Sequence, residues 1–169
     1  AKSLIEEFEN LEVSVIHAWG MTETSPLGTS GRLVEPFSSL SESEQRHLQT
    51  SQGRKIFMVD LKIVDDNGNR LPEDGNSVGN LYIRGNTIAA GYYNNEEASE
   101  AAIDKEGFFG TGDVASIDDQ GFLRLTDRAK DLIKSGGEWI SSIDLENRAL
   151  AHPDIENCAV IAIPHEKWD

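Results

Sequence analysis

Between Lys55 and Leu125 apolar and polar residues alternate, and clusters of Asp, Asn and Gly break the alternation at short intervals. A period of two puts neighbouring side chains on opposite faces of an extended chain, so this stretch can bury an apolar face only as strands. A strand over 56–64 is followed by the turn Asp65-Asp66-Asn67-Gly68-Asn69, and a second strand covers 79–84. Val114 to Ile117, the turn Asp118-Asp119-Gln120-Gly121 and Phe122 to Leu125 read as a hairpin. The region is expected to be mostly antiparallel sheet.

Helical spacing surrounds it. Leu4, Ile5 and Phe8 recur at helical intervals with Glu6, Glu7 and Glu9 between them. Ser41 followed by Glu44 has capping-box spacing and predicts a short exposed helix between Ser38 and Thr50. Residues 95–103 form a third candidate, and Ser141 opens a fourth that carries Ile143, Leu145, Ala149 and Leu150. Residues 11–19 read as a strand, 20–24 as a loop and 107–113 as a glycine-punctuated turn. The apolar run 158–163 reads as a buried strand that hides the single cysteine, Cys158. The fold class is mixed α and β.

Composition excludes several classes of partner. Thirty Asp and Glu against fifteen Lys and Arg leave a formal charge of -15, a field that repels nucleic acid and anionic membrane surfaces. One cysteine permits no disulfide within the chain, and with four scattered histidines it assembles no zinc site from close spacings. A metal would have to be a hard ion held by oxygen. No apolar stretch approaches the roughly 20 residues of a membrane helix and no signal peptide opens the chain, so a cytoplasmic protein is the expectation. The start at Ala1-Lys2-Ser3 without Met, and the stop at Lys167-Trp168-Asp169 soon after Pro164, suggest an interior piece of a longer protein.

Three segments carry chemistry. In Trp19-Gly20-Met21-Thr22-Glu23-Thr24 an aromatic offers a surface for a base, glycine admits close backbone, a hydroxyl can bond a phosphate oxygen and a carboxylate can hold magnesium. In Phe109-Gly110-Thr111-Gly112-Asp113 a carboxylate ends a glycine turn and can accept from two ribose hydroxyls. The run from Thr126 to Ile140 supplies the Arg128 donor fork and the pair Gly136-Gly137, where a thin substrate can pass close to backbone. Its charged turn from Thr126 to Lys130 is the candidate domain boundary.

Trp-Gly-Met-Thr-Glu-Thr-Ser-Pro at 19–26, Thr-Gly-Asp at 111–113 and Asp-Arg-Ala-Lys-Asp-Leu-Ile-Lys-Ser-Gly-Gly-Glu-Trp-Ile at 127–140 resemble, in order and spacing, core motifs of the adenylate-forming superfamily. The resemblance runs over nearly the whole chain, includes His17-Ala18-Trp19 and Gly53-Arg54-Lys55-Ile56-Phe57, and is nearest to medium- and long-chain fatty acyl-CoA synthetases. It implies residues 1–129 as the end of a large adenylate-binding domain with a distorted antiparallel barrel or sheet, and 130–169 as the truncated start of a small mobile α+β domain. It further implies a ligase in which a fatty acid carboxylate attacks ATP and CoA then displaces AMP.

On that resemblance Trp19 would pack on adenine, Gly20 would belong to the ATP/AMP site, Thr22 would bond a phosphate and Glu23 would ligate Mg2+, with Thr22 and Glu23 as the catalytic pair. Asp113 and Arg128 would hold the ribose of ATP or AMP, Lys130 would be the hinge, and Gly136, Gly137, Glu138 and Trp139 would line the CoA path. His17 would border the acyl pocket or pack as a strand residue. The Ser/Thr/Gly-rich phosphate loop and the adenylation lysine of such enzymes do not occur in this chain, so by itself it is expected to be inactive. Gly110 replaces a usual arginine and Met58 a usual glycine. A domain loading a carrier protein and a non-catalytic AMP-binding module stay open as alternatives; an oligomer is compatible with the sequence.

Overall fold

A computed structural model of the chain describes residues 2–128, 133–135 and 138–163. Its centre is the stretch where alternation is strongest. β4 (Val59–Val64), β5 (Gly79–Gly85), β6 (Phe109–Ile117) and β7 (Phe122–Arg128) pair antiparallel in the spatial order β7-β6-β5-β4. Their inward side chains form one core with Leu81, Ile83, Ala115 and Leu123 at 0% exposure, together with Leu61, Ile63, Phe109 and Ile117. Each fully buried aliphatic side chain contributes about 1.5–3 kcal/mol, so register is fixed by which face enters this core.

Three shorter strands, β1 (Ala18–Trp19), β2 (Thr29–Ser30) and β3 (Gly53–Lys55), extend the sheet from β7 to seven strands. β1 and β4 are its two edges, so the sheet is open: of the barrel or sheet that was expected, it is the sheet. β8 (Ile133–Ser135) and β9 (Glu138–Ile140) form a separate hairpin.

Among the described residues, three helices begin where capping side chains stand. α1 spans Lys2–Asn10 and α2 Glu42–Gln49; at α2 the Ser41 hydroxyl accepts the Glu44 N–H at 3.4 Å and Glu44 accepts the Ser41 N–H at 3.0 Å. Asn95 caps α3 (Glu96–Ala102) by accepting from the Ala98 N–H at 3.1 Å. Ser141 caps α4 (Ser142–Leu150) by accepting from the Asp144 N–H.

Lys62, on the face of β4 away from the core, is only 4% exposed. Asp104 at 2.6 Å and Glu106 at 3.1 Å pair it, and its ammonium lies 4.5 Å from the centre of the Phe108 ring. Two carboxylates and an aromatic face replace the water that such a charge gives up.

Several expected boundaries move. Only Ala18 and Trp19 of the strand expected over 11–19 are paired, and Leu11, Val13 and Ile16 stay exposed because no second strand lies beside them among the described residues. The strand expected from Ile56 begins at Val59, after a tight bend in which the Val59 N–H bonds the Ile56 carbonyl and Met58 has φ of +65°. The turn expected over 107–113 is mostly strand, since β6 starts at Phe109. Residues 158–163 form no strand: Ile161 and Ile163 are each 76% exposed, and Cys158 is partly exposed instead of buried. Apolar character predicted burial there, but among the described residues no strand pairs with this segment. Among the described residues no helix is long and apolar enough to cross a membrane.

The left-handed bend gives Met58 a conformation that strains any side chain, which accounts for glycine as the residue such a bend prefers. Met58 is 55% exposed, so little packing opposes its removal. Met58→Gly is expected to stabilise the chain by about 1 kcal/mol, read from the midpoint of urea unfolding.

Candidate functional site

The loop after β1 is built around Thr24, which is 0% exposed. Its hydroxyl accepts the Met21 N–H at 2.9 Å and reaches the carbonyls of Met21 at 2.9 Å and Pro26 at 2.7 Å. Those bonds fold Thr22–Thr24 into a single 3-10 turn and draw residues 20 and 26 together. A Cβ on Gly20 would stand 1.8 Å from the Pro26 oxygen, so only glycine fits. With Thr24 turned inward, Thr22 is left exposed and Glu23 half-exposed.

Trp19, at the root of this loop, is 8% exposed and belongs to the core, its ring lying against Gly28. The open aromatic surface expected for a base is therefore largely covered in this structure. Its indole N–H instead donates to Asp113 Oδ2 at 2.9 Å, joining residues 94 positions apart.

Asp113 reaches that bond because β6 bulges. Against β5 the register steps from Asn80↔Val114 to Tyr82↔Gly110, so two steps along β5 face four along β6. Gly112 takes φ of +75° within the bulge, which a larger residue adopts only with strain. The Thr111 hydroxyl donates to the Leu81 carbonyl at 3.0 Å and accepts the Asp113 N–H at 3.1 Å, fixing the carboxylate's base. Gly110 faces Tyr82, whose ring atoms lie 3.3 Å from where a Cβ would stand.

The Asp113 side chain is 14% exposed, and Arg128 Nε lies 3.9 Å from Oδ1, at the long end of an ion pair. Burial raises the Asp113 pKa, and the Trp19 hydrogen bond and the Arg128 charge offset that only in part. The result is a carboxylate with one oxygen held and one facing a cation, short of the donors it would have in water.

Glu23 is anchored from a different segment. The Ala89 N–H donates to its carbonyl at 2.8 Å, and the Tyr92 phenol donates to Oε1 at 2.9 Å. That hydrogen bond, then burial and then the Glu23 charge raise the Tyr92 pKa and keep the phenol protonated.

The structure thus joins Trp19, Asp113 and Arg128, and ties Glu23 to Tyr92. No hydrogen bond links Thr22 to either group among the described residues. His17 lines a separate groove of about 1180 Å³ with Ile5, Phe8, Arg124 and Ile143. Its Nδ1 is buried with no hydrogen-bond partner among the described residues. Lys130, Gly136 and Gly137 lie outside the described residues. Glu138 and Trp139 lie in β9, opposite Ser135 and Lys134.

Two residues to which sequence assigned no role emerge here. Tyr92 is one, and no local spacing relates it to Glu23. Asp127 is the other: 5% exposed, it accepts from the Ser142 N–H at 2.9 Å and the Ser142 hydroxyl at 2.6 Å, clasping the start of α4 to β7 across the expected boundary.

Comparison with known proteins matches residues 1–93 to the AMP-binding enzyme family. A medium-chain-fatty-acid–CoA ligase of Ectopseudomonas oleovorans is 52% identical over 99% of this chain, which covers 30% of that protein. A long-chain-fatty-acid–CoA ligase of Thermus thermophilus is 46% identical over 99% of this chain and 31% of that protein. The o-succinylbenzoate coenzyme A synthetase of Bacillus subtilis, solved with AMP, superimposes with a TM-score of 0.82 at 30% identity over 99% of this chain and 32% of that one. The same synthetase has been solved with ATP and a magnesium ion, with a TM-score of 0.80 at 30% identity over 98% of this chain and 32% of that one. The chain spans about a third of the length of the relatives it matches.

Two outcomes test the site's construction. Thr24→Val keeps the shape but strips the buried hydroxyl that ties Met21 to Pro26, and is expected to cost about 1–3 kcal/mol in denaturant unfolding. Asp113→Asn keeps an acceptor for Trp19 and removes the buried charge. A raised folded pKa penalises folding above the carboxylate range, and the penalty disappears as pH falls through that pKa. The melting temperature of Asp113→Asn should exceed the parent's near pH 7 and converge on it near pH 3 (about one unit below the usual Asp value).

Proposed function

Since this chain belongs to the AMP-binding enzyme family, we propose that it is part of a fatty acid–CoA ligase. In that reaction a carboxylate oxygen attacks the α-phosphorus of ATP and pyrophosphate leaves. The CoA thiol then attacks the acyl carbon, and AMP leaves with the bonding pair. The reading is supported by relatives 52% and 46% identical that are fatty acid–CoA ligases. The observation that carries it is the Trp19–Asp113–Arg128 group, in which β1 and the β6–β7 hairpin, where Asp113 and Arg128 lie opposite each other, converge on one underdonated carboxylate.

In this reading Asp113 accepts from the ribose hydroxyls through the oxygen that Trp19 leaves free. Two hydroxyl donors supply what burial removed. Arg128, whose side chain is 68% exposed, is free to swing its planar fork onto sugar or phosphate oxygens. The exposed Thr22 hydroxyl donates to a phosphate oxygen. Trp19 serves chiefly by fixing Asp113, and adenine meets the rim of the Gly20 loop.

Magnesium fits Glu23 only in company. Among the described residues no group of three or more His, Cys, Asp or Glu could hold a metal by itself, and a single carboxylate beside nucleotide phosphates and water is a normal Mg2+ environment. Glu23 would hold the ion, which when bound supplies positive charge to the phosphate oxygens.

The same proposal divides the chain at 1–129 and 130–169, with Lys130 as hinge and Gly136, Gly137, Glu138 and Trp139 facing CoA. A small domain turning there lets one nucleotide site serve two reactions in succession. His17, with its unpartnered nitrogen, borders the acyl pocket. A cytoplasmic site of action accords with ATP and CoA as co-substrates.

In the full-length protein, Glu23→Ala is expected to lower acyl-CoA formation from a fatty acid, ATP and CoA by about 100-fold or more. Undiminished turnover in that variant, followed by thioester absorbance or mass spectrometry, would overturn the assignment.

A further inference from the structure

We propose that Tyr92 is a positioning residue for Glu23, holding one carboxylate oxygen so that the other faces the cation that accompanies the nucleotide phosphates. This rests on the role given to Glu23 above. The phenol donates to Oε1 at 2.9 Å, and among the described residues no hydrogen bond is made to Oε2. No ion pair engages Glu23 among the described residues either. A neutral donor therefore fixes the carboxylate's direction without cancelling its charge, which a lysine or arginine in the same place would do.

The placement is built at both ends. The Ala89 N–H bonds the Glu23 carbonyl at 2.8 Å, so the segment before Tyr92 is pinned to the backbone it serves. The Tyr92 N–H donates to the Ser99 hydroxyl at 2.8 Å, and the Asn95 N–H bonds the Tyr92 carbonyl at 3.2 Å, fixing the residue to the start of α3. Its ring meets Phe109 edge to face at 6.2 Å, and Phe109 is the buried first residue of β6, the strand that carries Asp113. Tyr93, next in sequence, is 95% exposed and makes none of these contacts. One tyrosine of the pair is thus spent on Glu23, and the geometry of Glu23 is referred to the same strand as the Asp113 carboxylate.

The test uses the full-length protein and measures ATP binding by calorimetry across a range of Mg2+ concentrations. Tyr92→Phe keeps the ring and loses only the hydroxyl. It is expected to raise the Mg2+ concentration for half-maximal enhancement of ATP binding by about fivefold, the weight of one hydrogen bond. Metal-free ATP affinity should not move, and the melting temperature should fall only slightly, as for one exposed hydrogen bond. In a Glu23→Gln background the same substitution should add nothing. An unchanged Mg2+ dependence in Tyr92→Phe, or an equal shift in the Glu23→Gln background, overturns the proposal. Glu23→Gln alone separates this from the reading beneath it: if it shifts the Mg2+ dependence and Tyr92→Phe does not, only the role of Tyr92 falls. If Glu23→Gln shifts nothing, both fall.

Discussion

The bulge in β6 is the constraint from which the site follows. Counted strictly by twos, Asp113 shares a face with Ala115 and Ile117, which are 0% and 2% exposed in the core. The extra residues between Gly110 and Val114 interrupt that count, and the Asp113 side chain keeps 14% exposure beside Trp19 and Arg128. An uninterrupted ladder would have to seal a carboxylate among aliphatic side chains, at a cost no single hydrogen bond repays. Gly112 makes the interruption possible, and the Thr111 hydroxyl closes the backbone bonds that the interruption opens.

Two buried charges show how differently the fold treats such groups. Lys62 is surrounded: two carboxylates and the Phe108 ring satisfy it, and it serves the outer face of the sheet. Asp113 is left short of partners, and burial outweighs the Trp19 hydrogen bond and the Arg128 charge, so its pKa is raised. A structural charge is satisfied by the protein itself. In the proposed function the shortfall at Asp113 is what the ribose hydroxyls would fill.

Much of the sheet could be read from the chain. The hairpin around Asp118–Gly121, the capping box of Ser41 and Glu44, and α3 and α4 are set by interactions within a few residues, and all stand where the spacing put them. Two of the errors share one cause. Residues 11–17 and 158–163 are apolar enough for strands, but a strand exists only beside a partner, and sequence says nothing about whether one will be there. At Met58 the chain adopts a backbone that glycine would take more easily, a departure visible in sequence whose meaning needed the φ angle.

The candidate site divides in the same way. Sequence by itself determined the candidates for the proposed chemistry: Thr22 and Glu23 in a glycine-led loop, Asp113 after another, and Arg128 in a charged turn, because chemical type and short spacing are written in the chain. Only the tertiary structure decided how they are held. Trp19 turned out to be the donor that fixes Asp113 across 94 residues and Tyr92 the donor that fixes Glu23 across 69, while Asp127 clasps α4 to β7. Such pairings depend on strand order and register, which are settled by burying one shared core, and no local pattern encodes them.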